Sequence, residues 1–404
     1  MELASLAGRP AGGGQAQVSA QHPPPFPACA ASTTPCYGQD PLHRVYHLGN
    51  LYAHGITGTG TAVAVIIPGA NPWLRSDLAV FSRHFHLPNA QADVINWGRV
   101  PPARPDASSA YWAQEGTADA ELVHFIAPGA RLVYLQLSPD VSNRAAMGAL
   151  GWLATHRRID VASFSWGTFE ADIAAHGGYQ QILALRAGLV TAAHAGVSVI
   201  AGSGDSGPTG ISGHGYFPHP TVAWPTSDPL VTGVGALSLH LDAAGRRVRP
   251  DSVLGGTYAS GAGLSAAYPR PAYQNLVAST VGSHRGVVDV SMNGCMWVYL
   301  PTSHRPPGPA WQYNCGTSFS APLFAGITAL AAQQAGHPLG PRGPALYRMH
   351  GVADGILDVT HGNNTSHGVK GYSAGPGYDL PSGIGTIASA PTFTATLARL
   401  AAHR

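Results

Sequence analysis

The sequence predicts an α/β fold, a central and mostly parallel sheet flanked by helices, and three observations carry that prediction. Short, continuous apolar runs rich in branched side chains recur along the chain. Stretches with helical spacing fall between them. The 404 residues are also enough to bury a sizeable core. A strand buried on both faces has to be apolar throughout, and strands alternating with helices at this spacing form parallel sheets.

The strands are Ala62 to Ile67, Arg131 to Leu137, Ile159 to Ser165 and Val197 to Ala201. The helical stretches are Asp77 to Phe85, Glu115 to Ile126, Arg144 to Arg157 and Gln180 to Ala195. After Gly207 the chain reads as loop until a long apolar helix, Ser318 to Gln334. Residues 351–387, rich in Gly, Asn and Asp, read as structured loops. Residues 1–35, with Pro23-Pro24-Pro25 and much Gly, Ala and Gln, read as a flexible leader or prosegment remnant. The folded domain is then 36–404. No repeat of 20 to 50 residues is visible.

Charged residues are 10% of the chain, against about 25% in ordinary domains, and Lys370 is the only lysine. A formal charge of +2 gives no reason to expect nucleic acid or an anionic membrane as partner. Protonating all 20 histidines would make the chain strongly cationic in acid; drift in composition is the plainer reading of their number. The four cysteines, Cys29, Cys36, Cys295 and Cys315, form no Cys-x-x-Cys pair. They suit one or two disulfides and an oxidising compartment. Cys295 with Cys315 is the preferred pair, and free buried thiols are the alternative. No apolar run reaches the roughly 18 residues of a membrane span. The first residues do not read as a signal peptide, so a secreted protein would imply a truncated or misassigned start. Monomer is the default state.

Four side chains stand out. Ser318, in Gly316-Thr317-Ser318-Phe319-Ser320-Ala321-Pro322, opens the long helix, where free N–H groups and the dipole favour an oxyanion. Pro322 is expected in the first turn, where it costs little. A plain N-cap serine is the non-catalytic reading. Glu115 and Asp119 are four apart and share a helix face; two solvated surface acids are the rival reading. Glu121 points elsewhere and is expected to be a solvated charge. Asp205, in Gly202-Ser203-Gly204-Asp205-Ser206-Gly207, follows a buried strand at the end where α/β proteins place their sites. A turn-forming Asp is its rival. The Gly-x-Gly-x-x-Gly match there opens no helix, so a dinucleotide site is a poor reading.

Subtilisins share the Gly-Thr-Ser-x-x-x-Pro pattern, but this chain has no His-Gly-Thr run, and Ile67 is followed by Pro68 instead of an aspartate. The chain resembles the sedolisin family, the serine-carboxyl peptidases, through six ordered elements. They are Leu51-Tyr52 with Gly58-Thr59-Gly60; Glu115-x-x-x-Asp119 with His124 and Ala127-Pro128-Gly129-Ala130; and Ser163-Phe164-Ser165-Trp166-Gly167. They continue with Ser203-Gly204-Asp205-Ser206-Gly207, Gly316-Thr317-Ser318 with Ala321-Pro322, and Asp358-Val359-Thr360 with Gly375-Pro376-Gly377-Tyr378-Asp379. The match runs from about Cys36 to Ile387.

The resemblance implies a subtilisin-like three-layer fold and a secreted serine endopeptidase acting on proteins or peptides in acid. Ser318 would be the nucleophile and Glu115 the general base. Asp119 would hydrogen-bond and tune Glu115, and Asp205 would serve the oxyanion. Trp166 would line the substrate groove, with core packing as its rival. One structural Ca2+ would be held in the loop at about 354–387 by Asp358 and Asp379, with carbonyls from Val359, Gly375 and Gly377. Asn363-Asn364-Thr365 reads as a turn. Three departures stand out. Pro68 takes the place of an extra glutamate, and Cys315 precedes Gly316. The family's long folded prosegment has no counterpart in the 35 leading residues. A histidine-dependent subtilisin-like enzyme and a non-catalytic peptide-binding relative are the competing readings.

Overall fold

The computed structural model describes residues 18–20, 22–23, 39–103, 107–242, 244–301, 310–349 and 351–401. Its core elements, in chain order, are β1 (Ala62–Pro68), α1 (Leu74–His84), β2 (Gln91–Asn96), α2 (Ala107–Ile126), β3 (Arg131–Leu137), α3 (Asn143–His156) and β4 (Val161–Phe164). They continue with α4 (Ala187–His194), β5 (Ser198–Gly202), β6 (Val231–Ser238), β7 (Ser252–Val253), β8 (Val290–Asn293), β9 (Cys295–Tyr299), β10 (Trp311–Cys315), α5 (Thr317–Ala335) and α6 (Ala390–Ala401).

The eight-stranded sheet has the order β7-β6-β5-β4-β1-β3-β2, with β8 also beside β6. Every pairing is parallel except β6 with β7. β1 is buried at all seven positions, as its apolar run requires. The chain leaves β1 for β2 and β3 on one side, then crosses to β4 on the other. That reversal opens a crevice at the carboxyl ends of the strands, where ligands bind in open α/β sheets.

Helix α5 packs on α2 and against β4, β5 and β6. It is apolar around nearly its whole circumference because it is buried on nearly every side. Gly326 permits the helix–helix approach: a Cβ there would lie 2.6 Å from the Ile126 Cβ and 3.3 Å from the Val123 carbonyl. This contact holds the two helices that carry Ser318 and Glu115 at a fixed separation.

Several expectations change. Gln180 to Ala195 is two helices, Gln180–Ala184 and α4. Helix α2 starts at Ala107, two turns before Glu115. Strands β2, β6, β7, β8, β9 and β10 were not expected, nor was α6. Within the stretch read as a leader, Val18–Ala20 pair antiparallel with Trp311, Gln312 and Tyr313 of β10. Cys29 and Cys36 lie outside the described residues. Cys295 and Cys315 are bonded, as directly paired neighbours of β9 and β10. Among the described residues, no helix is long and apolar enough to cross a membrane.

Candidate active site

Helix α5 starts at its N-cap, Gly316, so Ser318 is the second helical residue and not a cap. Pro322 stands inside the helix, not in its first turn. Its missing N–H therefore withdraws the i→i−4 donor from the Ser318 carbonyl. Thr317 and Phe319 are buried, while Ser318 keeps partial exposure. The Thr317 N–H donates to Asp205 Oδ1 at 2.6 Å, and the Phe319 N–H donates to the Gly316 carbonyl. The Ser318 N–H between them is the helix-end donor that neither contact occupies.

Asp205 follows β5. Its Oδ1 also accepts from the Thr317 hydroxyl at 3.0 Å. The other oxygen, Oδ2, faces the backbone of Gly316, where a Cβ would stand 2.6 Å from it, and that residue has φ 153°. Glycine is therefore required next to the serine for both space and conformation. With Oδ1 committed to the helix, Oδ2 is the oxygen left to carry a proton. Burial pushes the Asp205 carboxyl up to about 6, against the pull of the two Thr317 hydrogen bonds.

Glu115 lines the same small cleft as Ser318 and Asp205, a space of about 30 Å³. Its side chain borders the opening, but Oε1 is buried and takes no hydrogen bond. Burial raises its carboxyl to about 7; hydrogen bonding from Ser318 and Tyr111 opposes that rise, and the charge of Asp205 adds to it.

Asp119, one turn further along α2, is fully buried. The Ser165 hydroxyl donates to its Oδ1 at 2.6 Å, while Oδ2 has no partner. The expected Asp119–Glu115 hydrogen bond is therefore not closed, and the two act on each other through charge. Burial first, and then Glu115, hold the Asp119 carboxyl well above the usual range. Among the described residues, no cation acts on these three carboxyls, which leaves their charge unmatched there.

Among the described residues, no histidine lines the cleft. His124, on the same helix, is buried and bonds the Pro88 carbonyl at 2.9 Å through Nε2. Glu121 corrects the expectation of a solvated charge: it has no exposure, and its Oε2 accepts the Tyr299 N–H at 2.9 Å. Trp166 is packed into the core at 8% exposure, its indole N–H on the Ile66 carbonyl at 2.7 Å.

A profile of the subtilase family matches residues 107–348, the stretch that holds all four site residues. The chain belongs to the subtilase family. Its sequence relatives place it on the sedolisin branch. It is 30% identical to kumamolisin of Bacillus sp. (strain MN-32), over 83% of this chain and 60% of that one. It is 28% identical to sedolisin of Pseudomonas sp. (strain 101), over 82% and 57%. Tripeptidyl-peptidase 1 of Macaca fascicularis is 35% identical over 52% and 38%. The chain thus spans about three fifths or less of the length of these relatives. In fold it is similar to Pseudomonas sedolisin, a serine-carboxyl proteinase solved with pseudo-iodotyrostatin. The TM-score there is 0.73 at 24% identity, covering 91% of this chain and 97% of that one.

As a sedolisin, the chain carries the Pro68 departure at the end of β1, where Pro68 pairs with Leu137. The donor to the acidic pair on this side is Ser165. In the C-terminal loop, Ile356–Leu357 pair with Thr386–Ile387 and close the segment between them. There Asp358 Oδ2 accepts the Gly377 N–H and Asp379 Oδ2 the Gly375 N–H, each at 2.8 Å. Asp379 Oδ1 takes the N–H and hydroxyl of Ser382. Asn363 accepts the Thr365 N–H at 3.0 Å, a local turn.

Proposed function

We propose that this chain is a serine-carboxyl peptidase that cleaves peptide bonds of proteins through an acyl-enzyme on Ser318, on the acid side of neutrality. The observation behind this reading is a serine at a helix N-terminus sharing a cleft with Glu115 and Asp205, with Asp119 buried one turn behind Glu115 and no histidine among the described residues of the cleft. Glu115 takes the hydroxyl proton as Ser318 Oγ attacks the scissile carbonyl. The negative charge on the carbonyl oxygen is met by the Ser318 N–H and by a protonated Asp205 through Oδ2. The amine leaves with the proton from Glu115. Water, deprotonated by Glu115, then cleaves the ester and restores Ser318.

The productive form carries a proton on Asp205 and none on Glu115. The resting site orders them the other way, about 6 against about 7. One unit of difference leaves about a tenth of the singly protonated pairs in the productive form. The developing oxyanion beside Asp205 reverses that preference as the reaction proceeds. The retained proton on Asp119 keeps a second negative charge away from Glu115, so the base can still ionise. The rate should be bell-shaped in pH, with its maximum between these two values.

The loop of Asp358, Val359, Gly375, Gly377 and Asp379 fits a Ca2+ ion by donor chemistry: two carboxylates and three carbonyls, all oxygen. Burial pushes the Asp379 carboxyl up, and the charge of Asp358 adds a smaller push in the same direction. A bound ion would offset that charge and brace the loop. Chelation should lower the melting temperature, and added Ca2+ should restore it. The Cys295–Cys315 bond fits an oxidising, secretory setting.

The deciding experiment is covalent labelling by a peptide aldehyde at pH 5, with a pH profile on denatured protein. Labelling that is lost in Ser318→Ala supports the reading. Activity that climbs steadily from pH 5 to pH 8 and survives Glu115→Gln would instead mark a histidine enzyme. No turnover at any pH would mark a peptide-binding relative.

A further inference from the structure

Helix α2 begins two turns before Glu115. That early start places Tyr111 four residues ahead of the base, on the same face. Tyr111 lines the cleft that also holds Glu115, Asp205 and Ser318. Its ring sits edge-on to Trp112, with centroids 5.1 Å apart. On the next residue of that face, the Gln114 amide donates to the Pro301 carbonyl at 3.3 Å, tying this turn to the far wall. We infer that Tyr111 is a positioning residue: its hydroxyl donates to the Glu115 carboxylate and keeps the base charged and aimed at Ser318.

The groups facing Glu115 come from four elements. Asp119 and Tyr111 share its helix, Tyr134 stands on β3, Asp205 follows β5, and Ser318 opens α5. Asp205 opposes ionisation of Glu115, and the charges of Glu115 and Asp119 oppose each other. Ser318 and Tyr111 are the neighbours that favour the charged form. The Tyr111 phenol is pushed well above its ordinary range by burial and by the neighbouring carboxyls, so it remains a donor.

The reaction makes the two donors unequal. Once Ser318 Oγ carries the acyl group it has no proton to donate, yet Glu115 must act as base a second time, on water. During deacylation Tyr111 is the donor that remains. A purely structural tyrosine would not discriminate between the two half-reactions.

This inference rests on Glu115 being the base, and the test separates the two claims. Tyr111→Phe keeps the ring and removes the hydroxyl. The acid limb of kcat/KM should move up by about one pH unit, the effect of losing one hydrogen bond to a charged group. Rates on that limb should fall about tenfold at unchanged KM, with the alkaline limb in place. Acyl-enzyme should accumulate in rapid-quench experiments with an ester substrate. In a Glu115→Gln background the same change should add no further loss. Active-site titration with a peptide aldehyde corrects for unfolded protein. An acid limb that Tyr111→Phe leaves in place, in an enzyme whose wild type shows that limb, overturns the role of Tyr111 alone. A wild type with no acid limb overturns the base assignment beneath it.

Discussion

Two clusters of buried carboxyl groups in this molecule are handled in opposite ways. Asp289, with no exposure, is fully partnered. Arg285 meets its Oδ2 at 2.6 Å, and the Gly233 N–H meets the same oxygen at 2.8 Å. The Tyr347 hydroxyl meets Oδ1 at 2.9 Å. Asp119 is equally deep, and Glu115 and Asp205 stand half-buried in the cleft, but no cation among the described residues answers them, and two of their oxygens take no hydrogen bond at all. A compensated carboxylate stays charged and locks structure. An uncompensated one moves its proton affinity into the working range of an acid or base. The first group braces the fold; on the proposed function, the second gives up stability in exchange for proton chemistry.

The sharpest way to break this comparison is to exchange the consequences. On the proposed mechanism, Glu115→Gln removes the base and an uncompensated acid together. It should cut kcat by about 10⁴, the upper end for a general base, while leaving the fold intact or more stable. Asp289→Asn leaves Arg285 buried and unmatched. It should cost about 3–5 kcal/mol of stability, with kcat per folded molecule unchanged. Chemical denaturation and active-site-titrated kinetics on both variants decide the matter. If Asp289→Asn lowered kcat as steeply as Glu115→Gln, the division of labour would not hold.

A smaller effect is expected at Asp205. The amide of Asp205→Asn still accepts from Thr317 and can donate to an oxyanion at every pH, more weakly than a carboxylic acid. The peak rate should drop about 10²–10³, and the alkaline limb of the profile, above the optimum, should disappear. A variant whose activity still falls through that limb would place the titrating acid elsewhere.

Legibility of the sequence followed the same physical division. The strands buried on both faces, such as β1, could be read because burial leaves only apolar choices. β2 was missed because it is a half-exposed edge strand with Gln91, Asp93 and Asn96. β6 was missed because Gly233 and Gly235 dilute its strand character. Ser318, Glu115, Asp119 and Asp205 stood out because each sits in an unusual local pattern; the structure brings Ser318, Glu115 and Asp205 to one cleft and buries Asp119 a turn behind Glu115. Tyr111 and Ser165 carry no such pattern. Tyr111 enters the site only because α2 starts earlier than its apolar periodicity suggests, and Ser165 because β4 ends one residue before it. Glu121 was misread because helical spacing assigns a face but does not tell which faces are covered; β9, which supplies the Tyr299 N–H, was itself not foreseen.

The smallest expected effect is on stability against pH, and it sharpens the comparison most cleanly. Glu115 rises from 4.5 to about 7 on folding, and Asp205 from 3.8 to about 6. The native state therefore binds protons more tightly than the unfolded chain. Stability from these groups is fully present below about pH 4 and is lost as pH climbs through 6 and 7. A rise of this size in one group corresponds to about 3 kcal/mol at most. His43 works in the opposite sense, since burial lowers it to about 4, so it stabilises above its unfolded value and weakens the fold in acid. The two trends overlap in the wild type. The difference between Glu115→Gln and wild type cancels His43, and should grow from near zero at pH 4 to a melting-temperature gain of a few degrees at pH 8. An equal difference at both pH values would mean that Glu115 is ionised and compensated in the native state, and the contrast with Asp289 would disappear.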